Sequence, residues 1–388
     1  MSSKNLMNNS DSITRYLVID YLRGFLTVLV VLHHVLIGYT SHGIGAVIID
    51  SNRFPLFDLV TGLLDLFFMF LFFFISGLFV LKSIQKKGAL KYLRHRFLRL
   101  GVPFLIGWLF INTPAYYLHF LTTVNHSTDM TKGLGDFLKY WMEVLHLSTS
   151  GHLWFLWVLL LFNCMTVIIF KIKPNIIKGF ENSSSRFFNE TWYFLLGFFL
   201  LGIVCYVPLT IFTWKLFFVQ LFGPFILQLD RVILYFMFYF VGAAVGVYGM
   251  DRSIFKADGI LVKRCWLVFM AAMLSYFTIV ILYIGSIMKI WLFSILAVST
   301  SMLLSFSLLA IFIRYVKQPN RIFDNLRKNA YGIYIFHYCI VSIWQFVFLD
   351  IDISGAIKAV LVFILALFTT WGLVSSLRKI PLVSRIIG

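Results

Sequence analysis

Apolar runs of about twenty residues recur along the whole chain and are separated by short polar segments. An α-helix needs about 20 consecutive apolar residues to cross the hydrocarbon core of a bilayer. The pattern therefore predicts an all-α, polytopic integral membrane protein with about ten transmembrane helices. We predict spans at residues 18–40, 56–81, 100–121, 151–170, 191–212, 231–249, 264–285, 290–313, 330–349 and 356–377.

The polar segments between these runs are too short to fold as separate domains. We predict a cytoplasmic N-terminal segment at residues 1–17, one membrane domain at 18–377 and a cytoplasmic tail at 378–388. The first apolar run is too long for the core of a signal peptide, so we interpret it as a retained first span. Gly242, Gly246 and Gly249 on the sixth span are four and three residues apart, a spacing of small residues that favours close packing against a neighbouring helix.

Composition supports a membrane protein, because 60% of the 388 residues are hydrophobic and 13% are charged. A soluble domain has about a quarter of its residues charged. The formal net charge of +17 would favour nucleic-acid binding in a soluble protein, but here we attribute it to basic cytoplasmic loops and predict no nucleic-acid partner. The four Cys residues lie within apolar runs or at their edges, which predicts no disulfide framework and no metal site.

Positive charges alternate from one loop to the next. If the N-terminus is cytoplasmic, the inside segments hold 25 Lys and Arg residues and the outside segments hold seven. This bias predicts an even number of spans, two cytoplasmic termini and a multi-pass protein of the cell (inner or cytoplasmic) membrane. Two long outer loops, at about 122–150 and 213–230, are rich in aromatic residues, which indicates a surface that either lies on the membrane or caps a cleft.

Ionisable side chains interrupt the first apolar run. Arg23 and His34 are eleven residues apart, so they share one helix face and are separated by roughly 16 Å along the axis. Such groups are costly within a bilayer and are typical of functional sites. Arg23, with Asp20 three residues before it, either anchors the helix at the headgroups or binds an anion such as a phosphate. His34 is either a satisfied interior histidine or a general base for a hydroxyl, and His33 points about a quarter-turn away.

Carboxylate and guanidinium groups on the next spans extend this hypothesis. Asp65 on the second span lies at a depth close to that of His34, so we predict that its carboxylate orients the imidazole. Arg96 and Arg99 are three residues apart in the second cytoplasmic loop. They either set topology and contact anionic lipids or form a clamp for phosphate.

Three further residues could face a substrate. His152 and Trp154 stand at the outer start of the fourth span, where Trp is normally an interfacial belt residue, but where both could face an outer cleft. His337 lies about 10 Å from the cytoplasmic end of the ninth span. It is either a buried histidine with satisfied hydrogen bonds or part of a channel for a donor.

Together these stretches resemble the acyltransferase 3 family of integral-membrane acyltransferases, and within it the glucan biosynthesis protein C-like branch. The resemblance rests on Asp20-Tyr21-Leu22-Arg23-Gly24, the spacing from Arg23 to His34, Phe72-Phe73-Phe74-Ile75-Ser76-Gly77, Arg96-Phe97-Leu98-Arg99, His152-Leu153-Trp154-Phe155-Leu156, and Tyr331-Gly332-Ile333-Tyr334 with His337. The spacing in the first motif selects His34 over His33. Many members carry an Asp where this chain has Phe70, so the role of Asp65 rests on its depth alone.

The resemblance implies an O-acyltransferase that moves an acyl group, acetyl or succinyl, from cytoplasmic acyl-CoA to a hydroxyl of an extracytoplasmic glycan. It also implies that His34 is catalytic, that the Arg residues belong to the donor side, and that acyl-CoA is a co-substrate with no bound cofactor. The lipid bilayer and other polysaccharide-biosynthesis proteins are the further expected partners. The residues alone leave open a transporter or flippase for a lipid-linked or extracellular polysaccharide, and a sensor or scaffold without turnover.

Overall fold

The computed structural model describes residues 3–123, 133–144, 149–181, 188, 190–213 and 218–387. This part of the chain folds into a helical bundle with one small antiparallel β-hairpin. Its helices are α1 Ser3–Leu36, α2 Leu56–Asp65, α3 Phe68–Gly77, α4 Val80–Lys87, α5 Ala89–Arg96, α6 Val102–Ile106, α7 Thr113–Thr123, α8 Leu134–Val144, α9 Trp154–Ile172, α10 Ile176–Glu181, α11 Thr191–Thr213, α12 Val232–Tyr248, α13 Ile260–Lys263, α14 Cys265–Ile284, α15 Ile290–Tyr315, α16 Arg321–Val347, α17 Gly355–Leu377 and α18 Pro381–Ile387. The strands are β1 Val219–Phe222 and β2 Phe225–Leu227.

The prediction of an all-α polytopic membrane protein is confirmed. Within the described ranges, nine helical segments are long and apolar enough to cross a membrane: Leu17–Tyr39, Leu56–Lys87, Ala89–Thr123, Gly151–Ile172, Thr191–Thr213, Cys265–Ile284, Ile290–Tyr315, Arg321–Val347 and Gly355–Leu377. The shorter apolar helix α12, of 17 residues, occupies the position of the sixth predicted span. The cytoplasmic location of the termini stays a prediction. Residues 124–132, 145–148 and 214–217 of the two predicted outer loops lie outside the described residues.

The segment interpreted as the second cytoplasmic loop is helical, and the third span extends back to Ala89 instead of beginning near residue 100. Helix α5 begins at Ala89 and continues into a π-helical turn at Phe97–Gly101. Pro103 explains why the backbone changes here, because proline has no N–H to donate to the carbonyl of Arg99 four residues earlier. The hydroxyl of Tyr331 donates to that carbonyl instead, which joins this turn to α16.

Close packing of α3 against α12 confirms the prediction for two of the three glycines, whereas Gly249 follows the end of α12 and faces the side chain of Asp251. A Cβ atom on Gly242 would lie 2.2 Å from the carbonyl oxygen of Phe74, and one on Gly246 would lie 1.9 Å from that of Leu78. Both distances are far below van der Waals contact. Only glycine lets these two backbones approach as closely as they do.

Helix α1 lies along α16, and hydrogen bonds join the pair near both ends. At one end the backbone N–H of Asn320 donates to the Tyr21 hydroxyl at 2.7 Å. At the other end the side-chain amide of Gln345 donates to the carbonyl of Val35 at 3.0 Å, which satisfies a backbone acceptor in the last turn of α1. The side chains of α1 and α16 that face each other are therefore held in a fixed register.

The loop after α1 is fixed to α17 by a buried ion pair. The Lys358 ammonium lies 2.7 Å from the Asp50 carboxylate, and their side chains are 0% and 3% exposed. Lys358 also donates to the carbonyl of Leu349 at 3.0 Å. The β-hairpin is fixed to α9, because the Trp157 indole donates to the carbonyl of Ile226 at 2.9 Å.

Candidate active site

Three histidines from three helical elements meet at one point. His34 lies on α1, His337 on α16, and His152 on the 3-10 turn Gly151–Leu153 that precedes α9. The ring centroids are 4.9 Å apart for His34 and His337, 4.7 Å for His152 and His337, and 6.0 Å for His34 and His152. The sequence suggested separate positions for these residues, and the structure brings them together.

Hydrogen bonds to main-chain carbonyls determine which ring nitrogens carry protons. Nδ1 of His337 lies 2.8 Å from the carbonyl of Tyr334 and 3.2 Å from that of Ile333. Nδ1 of His34 lies 2.9 Å from the carbonyl of Val30 and 3.3 Å from Nε2 of His337. Because a carbonyl only accepts hydrogen bonds, Nδ1 is assigned the proton in both neutral rings. This tautomer leaves the basic lone pair of His34 on Nε2.

Local backbone geometry brings His152 to the cluster. Gly151 has φ +55°, and a Cβ there would come within 3.3 Å of the Tyr338 ring, so this turn favours glycine. The His152 ring stacks on Tyr338 with centroids 4.9 Å apart and planes 30° apart. The Tyr334 hydroxyl donates to the main-chain carbonyl of His152. The imidazole is therefore held in position by its neighbours before any substrate binds.

A cavity of about 850 Å³ lies beside the cluster. It is at the end of the bundle that the loop charges assign to the outside, and the β-hairpin and the loop after α1 contribute to its wall. His337 is fully buried behind this wall. The lining of the cavity includes His33, His34, Asp65, His152, Trp154 and Tyr338, and also His42 and Asp58.

The expected contact between Asp65 and His34 is wrong. Asp65 does line the cavity, but its carboxylate lies 2.6 Å from Nη1 of Arg231. Arg231 is buried and its guanidinium needs a counter-charge, which Asp65 and the adjacent Asp230 provide. Burial raises the pKa of Asp230, and the positive charge of Arg231 opposes that shift. The ring of His34 is oriented by His337 and a carbonyl of its own helix.

Arginines form a second cluster, which does not line the 850 Å³ cavity. Arg23 is 3.4 Å from Asp20, and its side chain is 49% exposed. The charges of Arg96 and Arg99 lie close enough to act on Arg23. Asp20 also lies 3.2 Å from Arg327, a residue that the sequence did not single out. Arg327 also lies 2.9 Å from Asp324. Four cations thus gather near two carboxylates, an excess of positive charge that favours binding of an anion.

Arg96 is held in place by a buried polar network. Its Nε donates to the Tyr92 hydroxyl at 3.0 Å, and the guanidinium lies 5.1 Å from the centre of the Tyr92 ring. The Tyr92 hydroxyl donates in turn to the side chain of Asn163 on α9. Asn163 lies within an apolar run, and its polarity there was the only sequence feature that could have identified it.

The geometry of the histidine cluster suits proton transfer. In the described part of the chain, no group of three or more His, Cys, Asp and Glu side chains is arranged to hold a metal ion. His34 instead offers a neutral imidazole with a lone pair beside a cavity large enough for a small substrate group.

The family described as "Acyltransferase domain" matches residues 16–375 of this chain. Glucans biosynthesis protein C of Escherichia coli strain K12 is 27% identical over 169 residues, which is 44% of this chain and 42% of that protein. The proteins of the same name from Shigella dysenteriae serotype 1 and Shigella boydii serotype 4 are 28% and 27% identical over 170 residues, with the same coverage. The match therefore spans less than half the length of these relatives. No solved structure matches the chain.

Proposed function

Because this chain belongs to the acyltransferase family whose domain matches residues 16–375, we propose that it moves an acyl group from cytoplasmic acyl-CoA to a hydroxyl of an extracytoplasmic glycan. Its membership makes it a multi-pass membrane acyltransferase. The donor, the acetyl or succinyl group and the glycan are the parts that we propose. The glycan is suggested by the name of the relatives, which refers to glucans.

The observation that carries the proposal is the neutral His34 ring beside the cavity. Nε2 of His34 takes the proton of the acceptor hydroxyl as that oxygen attacks the acyl carbon. The proton on Nδ1 points to a carbonyl of α1 and to His337, so the imidazolium that forms keeps a hydrogen bond. Acyl transfer needs a base whose tautomer is fixed, whereas a transporter that only conducts a sugar across the membrane does not.

The arginine cluster supports a donor that carries phosphates. Arg23, Arg96 and Arg99 bring together charges that repel one another, and a bound phosphate or pyrophosphate would relieve this repulsion. Arg23 and His34 are eleven residues apart on one helix, or roughly 16 Å. A flexible pantetheine arm between the two clusters would place a thioester at the histidines while the nucleotide stays at the arginines.

Purified protein in liposomes tests the proposal. Labelled acetyl-CoA or succinyl-CoA is sealed inside, and a glucan oligosaccharide is supplied outside. We expect the label to become esterified to the outer oligosaccharide, at a rate proportional to the amount of protein. If the oligosaccharide instead appears unmodified inside the liposomes, the chain is a transporter. Liposomes that form no ester and move no sugar would contradict both functions.

A further inference from the structure

His152 has a buried side chain with unused hydrogen-bonding capacity. It is 5% exposed, and within the described residues neither Nδ1 nor Nε2 has a hydrogen-bond partner. A neutral imidazole always carries one N–H, and a buried donor left unpaired costs about 1–3 kcal/mol. The ring borders the cavity, so a group bound there could accept this hydrogen bond.

The carbonyls of Tyr334 and Ile335 lie near the His152 ring but complete no hydrogen bond to either nitrogen, which leaves the ring N–H for a ligand. The Tyr334 hydroxyl donates its hydrogen bond to the main-chain carbonyl of His152 and not to the imidazole ring. The stacking on Tyr338 fixes the plane of the imidazole. A donor that is already fixed and desolvated needs little reorganisation when charge develops next to it.

His152 also lies close to the proposed base. Its ring centroid is 6.0 Å from that of His34, the ring planes are 77° apart, and both residues line the same cavity. Hydrogen bonds of roughly 2.8 Å from the two rings can converge on one reacting group in the cavity that both rings border. The acceptor hydroxyl would meet the base there, and the carbonyl oxygen of the acyl group would meet the donor.

We propose that the N–H of His152 donates a hydrogen bond to the carbonyl oxygen of the acyl group and stabilises the oxyanion, which makes His152 a second catalytic residue. This inference rests on the acyl transfer proposed above.

In the first half of the reaction, the acceptor hydroxyl gives its proton to Nε2 of His34. Its oxygen forms a bond to the thioester carbon, and the C=O electron pair moves onto the carbonyl oxygen, which accepts the bond from His152. In the second half that pair returns, the C–S bond breaks, and the thiolate leaves with the proton held by His34. The products are an ester and a free thiol, so atoms and charge balance.

Two substitutions separate this role from packing. His152→Phe keeps a ring to stack on Tyr338 but removes both nitrogens, whereas His152→Gln keeps an N–H donor. We expect His152→Phe to lower kcat for transfer from acetyl-CoA to a glucan oligosaccharide by about 10²–10³-fold, with KM for both substrates nearly unchanged. His152→Gln should retain at least about ten-fold more activity than His152→Phe.

His119→Phe is the matched control. His119 lies on α7, where its Nδ1 contacts the carbonyl of Val47 at 3.1 Å, and it does not line the cavity. The same exchange of imidazole for phenyl should leave kcat within about three-fold of wild type, because this ring does not border the cavity where the acyl group would bind.

The outcomes distinguish this inference from the proposed function. If the wild-type protein forms no ester, the proposed function fails, and the oxyanion role fails with it. If wild type forms the ester and a folded His152→Phe variant keeps kcat within about three-fold, the oxyanion role alone is overturned. If thermal unfolding shows that His152→Phe does not fold, His152→Gln is compared with His152→Met, whose side chain has no hydrogen-bond donor. Equal activity in those two variants would overturn the role.

Discussion

His337 stands beside His34 at the place where many catalytic histidines have a carboxylate. A carboxylate would stabilise the imidazolium by its charge, but His337 is fully buried inside the bundle, where an ionised group is costly. The lone pair on Nε2 of a neutral His337 can accept a hydrogen bond from Nδ1–H of His34 without that cost. The carboxylate nearest in depth, Asp65, is occupied by Arg231.

Asp65 is expected to act through Arg231. Asp65→Asn leaves the buried guanidinium with Asp230 as its remaining carboxylate, and we expect a loss of stability of about 2 kcal/mol because a charged hydrogen bond is broken. Arg231→Gln should cause a similar loss, and the double variant should lose less than the sum. Thermal unfolding in detergent measures all three.

Asp58→Asn is the matched control, since it changes another carboxylate on α2 whose described contacts are with Ser41. It should unfold close to the wild-type temperature. If Asp65→Asn leaves stability unchanged but abolishes acyl transfer, Asp65 takes part directly in the chemistry and its role as the counter-charge of Arg231 is wrong.

Single residues could be selected from the sequence only where spacing along one helix was informative. Arg23 and His34 share a face of α1, and that follows from eleven residues at 3.6 per turn. The contact between His34 and His337 joins residues 303 positions apart and depends on how α1 and α16 are rotated against each other. Depth along a span can be counted from the sequence, but rotation about the helix axis cannot, and this explains the error for Asp65.

At the scale of the element, contact between backbones determines how α3 and α12 fit together. The carbonyl oxygens of Phe74 and Leu78 would lie 2.2 Å and 1.9 Å from Cβ atoms placed on Gly242 and Gly246, respectively. Without a strong hydrophobic force between helices inside a bilayer, such close packing supplies much of the attraction between them. The two glycines therefore hold α12 against α3.

Gly246→Ala should weaken this interface. The added methyl would lie 1.9 Å from the Leu78 oxygen, and the helices would have to separate, at a cost of about 1–3 kcal/mol. Gly372→Ala on α17 is the control, because a Cβ there meets nothing within 4 Å and alanine favours the helix by up to about 1 kcal/mol. Thermal unfolding should place the two variants on opposite sides of wild type. Equal unfolding temperatures would show that α3 and α12 do not depend on this contact.

The elements themselves could largely be predicted. Runs of apolar residues gave each span, and most boundaries agree within a few residues. The third span begins at Ala89 and not near residue 100. Its first turns contain basic residues such as Arg94, so a search for apolar runs does not detect them. The hairpin Val219–Leu227 could not be predicted, since its strands have only four and three residues.

At the scale of the whole molecule, α1 carries two chemically different sites. The arginine cluster lies toward the part of α1 that the distribution of loop charges assigns to the cytoplasmic side. The histidine cluster lies near the last turn of α1. Hydrogen bonds of α1 to Asn320 and Gln345 hold it against α16 near both clusters. A donor that binds both sites would thus be positioned by rigid helices, which favours a productive geometry.

Arg23→Gln should weaken binding of the donor. Loss of one guanidinium from the cluster should raise KM for acetyl-CoA by about ten-fold, which corresponds to about 1.4 kcal/mol, while kcat changes much less. Arg94→Gln is the control, because Arg94 is an exposed cation on α5 two residues from Arg96. A KM that rises equally in both variants would indicate a general effect of charge, and an unchanged KM in Arg23→Gln would assign Arg23 to anchoring.

The most direct test of the central claim compares His34→Ala with His33→Ala in liposomes that hold labelled acetyl-CoA inside and glucan oligosaccharide outside. The two residues are adjacent and both line the cavity, but His34 is the one that contacts Nε2 of His337. We expect His34→Ala to abolish ester formation while His33→Ala retains a measurable part of the wild-type rate. Ester formation by a folded His34→Ala variant at the wild-type rate, or equal loss in both variants, would contradict the assignment of His34 as the base.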